Sequence, residues 1–253
     1  HALQAEIDRK PVDSVMAAIE ETQAYRWFVP KKYDGFEFSL EGFMEVGMML
    51  GAADVSTAWV VTFCMEHNWL MGLYSAEGQD TIFRKHPYII APGALAPKGT
   101  ARPVDGGYIV TGRWQWGTGV MHANHVMVGA LTDHDGDPEL CMYVLPIEDA
   151  EVIDTWHMSG MVATGSNDIA VTEKFVSACL RLNLTDMRAG DSPGAKLHKT
   201  TNFRMPMLPV LGLTAAAPAV GCAGRTLQRF KERMEERTVY GTADRQSERA
   251  LGQ

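Results

Sequence analysis

Residues 93–119 decide the fold: Gly93-Ala94-Leu95-Ala96-Pro97-Lys98-Gly99-Thr100-Ala101-Arg102-Pro103-Val104-Asp105-Gly106-Gly107-Tyr108-Ile109-Val110-Thr111-Gly112-Arg113-Trp114-Gln115-Trp116-Gly117-Thr118-Gly119. Asp105-Gly106-Gly107 is a turn signal, because glycine reaches positive φ without a steric penalty. After it, Tyr108, Val110, Gly112, Trp114 and Trp116 alternate with Ile109, Thr111, Arg113 and Gln115, the period of two that marks a strand. The strand runs out into Gly117-Thr118-Gly119, a small-residue opening beside two large indoles. Flat aromatic walls next to thinly covered backbone suit a flat, conjugated ligand. A glycine-flanked hairpin with tryptophans in its core is the simpler reading of the same residues.

Working outward, the pattern from Tyr88 to about Leu184 is one of short alternating runs split by Gly, Pro and Asp. The expected strands are 88–90, 108–116, 125–131, 140–146, 151–154 and 168–176. Regular short strands of this kind argue for a β-barrel or sandwich. Residues 132–138 read as an exposed acidic hairpin loop without EF-hand spacing. Residues 154–168, Asp-Thr-Trp-His-Met-Ser-Gly-Met-Val-Ala-Thr-Gly-Ser-Asn-Asp, form a second dense stretch. In it a Trp precedes a run of Gly, Ser and Thr that offers N–H groups and hydroxyls to a polar ligand edge.

The flanks read as helical. Residues 1–24 form one or two helices around Pro11. Ser39 and Asp54 are read as N-caps, the first opening a helix that carries Phe43, Val46, Leu50 and Ala53. Residues 56–74 are apolar nearly all round, as in a helix buried among others. His67 lies inside that helix, with Phe63 and Met71 four residues to either side on one stripe and Trp59 and Cys64 beside them. An imidazole there is either a satisfied core group or an acid/base facing a dry pocket. Residues 79–86 read as a short helix and 186–206 as a polar linker. From Pro209 helix returns, first with a stripe of small residues, then with a charged tail whose seam is Leu227, Phe230 and Met234. The division expected is a helical domain over 1–87, a β domain over 88–190, and a linker with the start of a helical bundle over 191–253.

The 253 residues carry a net charge of −8 with no Lys/Arg cluster, so nucleic acid and anionic membrane are poor partners. No run reads as long enough to cross a membrane. The first ten residues lack a cationic start and apolar core, so no secretory signal is expected. Cys64, Cys141, Cys179 and Cys222 are far apart among apolar neighbours, as expected of buried free thiols in a reducing cytoplasm. His122 and His125 have no carboxylate nearby in sequence, so no metal is expected.

The helix–β–helix order and the two dense loops together resemble the acyl-CoA dehydrogenase fold family, an α+β fold with an N-terminal helical domain, a central β domain and a C-terminal helical bundle. More closely the chain resembles the flavin-dependent monooxygenase branch, with the oxygenase components of phenol and 4-hydroxyphenylacetate hydroxylases and the dibenzothiophene monooxygenases. Four motifs in order carry the likeness: Ser56-Thr57-Ala58-Trp59-Val60-Val61 followed by His67; Gly93-Ala94-Leu95-Ala96-Pro97; Gly112-Arg113-Trp114-Gln115-Trp116-Gly117-Thr118-Gly119; and Trp156 through Ser166.

The resemblance implies reduced FMN or FAD between the β domain and the C-terminal helices. Leu95, Ala96 and Pro97 would lie along the isoalloxazine, as would Trp116, Gly117 and Thr118, with the Thr118 hydroxyl near N5. Trp156 and Ser166 would bound the rest of the site, and Arg237 would meet flavin phosphate. Trp59, Phe63, His67 and Met71 would face a phenolic substrate, with His67 and Thr118 as the catalytic groups. A separate reductase, O₂ as co-substrate, a C4a-(hydro)peroxyflavin, a cytoplasmic homotetramer and an aromatic small-molecule substrate are implied with them. The dehydrogenase branch carries Thr-Glu-Pro and Gly-Ser-Asp where this chain has Leu95-Ala96-Pro97-Lys98-Gly99-Thr100, which favours the oxygenase branch. Both branches place a further catalytic residue in the C-terminal bundle, after the point where this sequence stops, so the sequence reads as a fragment. An FAD-dependent acyl-CoA dehydrogenase and a non-catalytic flavin-binding subunit are the alternatives.

Overall fold

Several helices begin where a short polar side chain closes the first turn. The computed structural model describes residues 1–134 and 137–236. Helices α1 (Ala2–Asp8) and α2 (Asp13–Glu21) flank Pro11. The Ser39 hydroxyl accepts the Gly42 N–H at 3.2 Å and opens α3 (Leu40–Ala53). The Asp54 carboxylate accepts the Thr57 N–H at 2.9 Å and opens α4 (Val55–Gly72). Ser75 does the same for α5 (Ala76–Phe83). Replacing Asp54 by alanine should lower stability by about 1 kcal/mol, the usual value of such a cap. An unchanged denaturation midpoint would mean that packing alone sets the start of α4.

α4 is the hub. Val60, Val61, Cys64, Met65, Trp69 and Met71 are fully buried in one apolar cluster with residues of α3, the loops around Tyr25 and Phe28, and the sheet. Its outer neighbour is α8 (Met207–Glu236), a single helix with Pro218 inside it, where the sequence suggested a small-residue stripe and a separate charged tail. α8 packs on α3 through glycines. A Cβ at Gly47 would sit 2.8 Å from the Ala217 methyl, one at Gly51 2.3 Å from the Pro218 carbonyl, and one at Gly221 2.0 Å from the Met48 carbonyl. By length and composition α8 could cross a membrane, which corrects the expectation that no run reaches that length. One of its faces is nevertheless packed on α3 and α4.

Residues 88–90 are not the strand expected. Ile89 and Ile90 are buried, and asparagine side chains pair both of their N–H groups, while the Ile90 carbonyl accepts the backbone N–H groups of Asn124 and His125. The Asn68 amide accepts the Ile89 N–H at 2.8 Å and donates to the Ile89 carbonyl at 2.9 Å, and the Asn124 side chain accepts the Ile90 N–H at 3.0 Å. These bonds satisfy buried backbone groups without a sheet and carry the chain over α4 into the first strand.

Among the described residues, seven strands form one sheet in the order β5-β6-β2-β1-β3-β4-β7. They are β1 (Gly93–Val104), β2 (Gly107–Trp114), β3 (His125–His134), β4 (Asp137–Pro146), β5 (Glu151–Ile153), β6 (Asp168–Ser177) and β7 (Arg181–Asn183). Only β1 and β3 run parallel. β1, whose prolines and glycines hid it in the sequence, is the central strand. Its pairing with β3 slips between Ala94 and Gly99, so Leu95-Ala96-Pro97-Lys98 bulges away. The sheet is curled: the rings of Tyr108 on β2 and Tyr143 on β4, with two strands between them, meet at 5.4 Å. Inside the curl, Val110, Trp114, Val128, Tyr143, Ile169 and Val171 form a second core. The other face, through Met127, Met142 and Val144, joins the helical core.

The expected polar linker 186–206 contains α6 (Leu184–Ala189) and α7 (Pro193–Leu197), both begun by side-chain caps, Asn183 and Ser192. Of the four cysteines, all unbonded, Cys64 and Cys141 are buried as expected, whereas Cys179 and Cys222 are half-buried. His122 does have a carboxylate partner: Asp13, from α2, at 3.0 Å.

Candidate active site

The end of β2, the start of α4 and the loop 155–166 meet around a cavity of about 300 Å³. Trp59, Trp116 and Trp156 wall it, Thr118, Thr164 and Ser166 supply hydroxyls, and Val55, Met161 and Ala219 of α8 complete the lining. Thus the structure brings Trp59, Trp116, Thr118, Trp156 and Ser166 together from three separate parts of the sequence. This volume sits at the low end of small-molecule sites and holds a ring system rather than a whole nucleotide.

Trp116 is 65% exposed, and its backbone lies in the left-handed region at φ 67°. Trp114, two residues earlier, is fully buried inside the curled sheet, so only one of the paired indoles faces ligand space. The turn after Trp116 is closed by Thr118 N–H donating to the Trp116 carbonyl at 2.8 Å.

Asn167, not singled out in the sequence, clamps the two loops together. Its side-chain oxygen accepts the N–H groups of Thr155 and Trp156, each at 3.0 Å, and its carbonyl accepts the Gly117 N–H at 2.9 Å. A Cβ at Gly117 would lie 2.9 Å from that same carbonyl, so glycine lets the loops close. Arg9, at the end of α1, forms a two-pronged ion pair with Asp154, both contacts 2.7 Å, and donates to the Trp156 carbonyl at 3.2 Å. No local signal marks Arg9. Asn167 could have been suspected as the polar residue ending the dense run.

Within the 155–166 loop the Met161 carbonyl is a node. It accepts from the Trp156 indole at 3.1 Å, from the Thr164 N–H at 3.0 Å and from the Thr164 hydroxyl at 2.9 Å. Thr164 and Ser166 hydroxyls meet at 2.8 Å, and Ser166 and Thr118 at 3.0 Å.

The remaining residues singled out lie elsewhere. Leu95 is half-buried and Ala96 and Pro97 are exposed in the β1 bulge, outside the cavity lining. Gly129 admits that bulge, since a Cβ there would meet the Leu95 carbonyl at 2.6 Å. Phe63 packs at a tilt between Trp59 and His67, with ring centroids at 4.9 and 6.0 Å. His67 itself is buried behind it. Met71 lies deeper, in the helical core. Arg237 lies outside the described residues.

The His67 Nδ1–H donates to the Ala91 carbonyl at 2.5 Å, which leaves Nε2 as the acceptor. Gly93 makes room for the ring: a Cβ there would be 2.6 Å from Nε2. The Glu66 carboxyl lies 3.5 Å from Nε2, and both its oxygens are buried without a hydrogen bond. Burial lowers the imidazole pKa to about 4 and raises the Glu66 carboxyl well above its ordinary value. At neutral pH the imidazole is uncharged, and burial disfavours the charged form of the carboxyl.

A larger groove of about 810 Å³ lies between α1, α2, the end of α3 and the start of α4. Its walls are mostly aliphatic, with no aromatic ring except His1. The smaller cavity, where indoles converge on linked hydroxyls, is the better candidate for chemistry.

No family model matches the chain. It is 31% identical over 238 residues to a pigment production hydroxylase of Rhodococcus sp. (strain ATCC 21145), covering 92% of this chain and 61% of that protein. It is 30% identical over 239 residues to the oxygenase component of p-hydroxyphenylacetate 3-hydroxylase of Acinetobacter baumannii, covering 94% and 57%. The structure superposes on XiaF from Streptomyces sp., solved in complex with FADH2 and glycerol, with a TM-score of 0.86 at 26% identity over 96% of this chain and 62% of that one. The chain has the acyl-CoA dehydrogenase-like fold, and the relatives it matches are flavin-dependent monooxygenases. It spans about six tenths of the length of the curated relatives it matches.

Proposed function

We propose that the protein of which this chain forms the flavin-facing part is the oxygenase component of a reduced-flavin-dependent monooxygenase that hydroxylates a small phenolic or aromatic molecule. The observation that carries this is the cavity itself: three indoles around a flat apolar space, with hydroxyls along one side. That lining fits an isoalloxazine ring, which is flat, apolar on its faces and polar along its edges. When bound, reduced flavin supplies the activation of O₂.

The chain's own residues do the rest in this reading. Trp59, Trp116 and Trp156 exclude water from the ring. Thr118 and Ser166 meet its polar edge. His67, behind Phe63, offers Nε2 to a phenolic O–H. An imidazole held near pKa 4 is too weak a base to remove that proton outright, so it orients and polarises the hydroxyl instead. A separate flavin reductase, a four-subunit assembly and a cytoplasmic setting belong to the same proposal.

The test mixes the native protein with reduced FMN or FAD, then O₂ and a panel of phenols. The expected product carries one added oxygen atom on the ring. His67→Ala should slow hydroxylation about 10²-fold, within the range for a positioned acid/base group, with O₂ consumption by the bound flavin little changed. Equal slowing of both would remove His67 from the substrate side. Bleaching of bound oxidised flavin by an acyl-CoA, with no hydroxylation, would overturn the proposal.

A further inference from the structure

Arg9 ends α1 with a left-handed backbone at φ 54°, a place that glycine usually takes because a side chain there is strained. What the arginine side chain reaches accounts for its presence. Its guanidinium grips both oxygens of Asp154 at 2.7 Å and the Trp156 carbonyl at 3.2 Å. The His157 ring lies against the nitrogen that binds Trp156. The Arg9 carbonyl presses on the other end of the same loop, where a Cβ at Gly165 would meet it at 2.7 Å. Arg9 thus touches both ends of the loop that carries Trp156, Met161, Thr164 and Ser166, four of the nine residues lining the indole-walled cavity. Its seat is loose. Of α1 only Ala5 is buried, and Leu3 and Ile7 are largely exposed. A cleft of about 340 Å³ lies beside it, lined by Arg9, Met121, Val152, Asp154 and Asn167 among others. The Arg9 and Asp154 side chains are 33% and 57% exposed, so water and salt compete for the pair. An element with little buried apolar contact opens at low cost.

We propose that Arg9 is a positioning residue whose ion pair with Asp154 straps the 155–166 loop over the cavity, so that opening of the strap sets the rate at which ligand enters and leaves. That the ligand is a flavin rests on the reading above; the strap rests on the contacts alone. Asn167 holds the same loop through the N–H groups of Thr155 and Trp156, but Asn167 is buried and Arg9 is not. Ionic strength therefore loosens the strap and leaves the clamp. Arg9 lies outside the cavity lining, so it acts on the loop and not on the ligand. The two kinds of role differ in their kinetics. A loop that opens more often lets ligand in and out faster, whereas a lost binding contact raises only the rate of leaving.

The experiment follows amide hydrogen exchange over residues 155–166 in the whole native protein without ligand, and stopped-flow binding of reduced FMN and FAD to the same protein. The amides of Thr155, Trp156 and Thr164 are hydrogen-bonded in the closed loop. In Arg9→Met they should exchange about threefold faster, the effect of losing a partly exposed ion pair. Flavin association and dissociation rates should rise together by a similar factor, with Kd little moved. Asp154→Asn should act alike, and Arg9→Lys, which keeps the charge and loses the fork, should fall between. Added salt should speed exchange in the wild type and not in Arg9→Met. Amides unmoved in both Arg9→Met and Asp154→Asn overturn the strap and leave the flavin reading standing. Faster amides in a protein that binds neither flavin uphold the strap and overturn the flavin reading. A rise in the dissociation rate alone makes Arg9 a binding contact and overturns its role in ligand exchange.

Discussion

Trp114→Ala is expected to lower stability by about 3–5 kcal/mol and to weaken ligand binding in a cavity that Trp114 does not line. The indole is fully buried inside the curled sheet. It fills space that two facing glycines leave open: a Cβ at Gly99 would lie 2.2 Å from the ring, and one at Gly112 2.7 Å. Those two glycines are partners across β1 and β2. The indole N–H donates to the Gly129 carbonyl at 2.7 Å, so truncation leaves a void and an unpaired buried acceptor together. Both effects fall on the last residue of β2, from which Trp116 and Thr118 project two and four residues later. Denaturant midpoints and flavin affinity should therefore drop in parallel. Trp114→Phe keeps most of the ring and loses the N–H, and should retain more of both. A loss below about 1 kcal/mol, which core truncations rarely show, or full flavin affinity in a badly destabilised protein, would separate the sheet core from the site.

The same two glycines explain what could be read in advance. Alternation after Asp105-Gly106-Gly107 announces β2, because its side chains obey a period of two. β1 obeys none over Leu95-Ala96-Pro97-Lys98, since that segment bulges out of register with β3. Capping at Ser39 and Asp54 was legible because one local hydrogen bond decides it. The course of 89–91 was not, because its partners include Asn68, His67 and Asn124, which lie 21, 24 and 34 residues away. Likewise Trp116, Thr118, Trp156 and Ser166 announce themselves by composition, whereas Arg9 and Asn167, which hold them in place, act through tertiary contacts that no spacing encodes.

The buried neighbours Glu66 and His67 should give the protein two opposed pH dependences that single variants separate. His67 titrates near pH 4 in the folded chain, against an ordinary 6.5. Its neutral form is the one that folding favours. Its contribution is therefore complete above pH 6.5 and is lost as pH falls through 4, a change of about 3 kcal/mol at 1.36 kcal/mol per unit. Glu66 is shifted the other way, its carboxyl pushed up by burial. Its contribution is complete below its ordinary value of 4.5 and is lost as pH rises through the raised one. Between about pH 4.5 and 6.5 the two trends offset each other in the wild type. Cys64, the other titratable group coupled to Glu66, has a thiol pushed up to about 12 and stays neutral throughout. Each comparison is the variant minus wild type across pH 4–8, so the remaining carboxylates cancel. Relative to wild type, His67→Gln should gain as pH falls, by about 3 kcal/mol between 6.5 and 4. Glu66→Gln should gain as pH rises above 4.5, because it removes a buried acid that the unfolded chain would ionise. Two variants whose differences from wild type slope the same way would show that the pair does not sit neutral side by side, and the geometry assigned to the His67 Nε2 lone pair would fall with it.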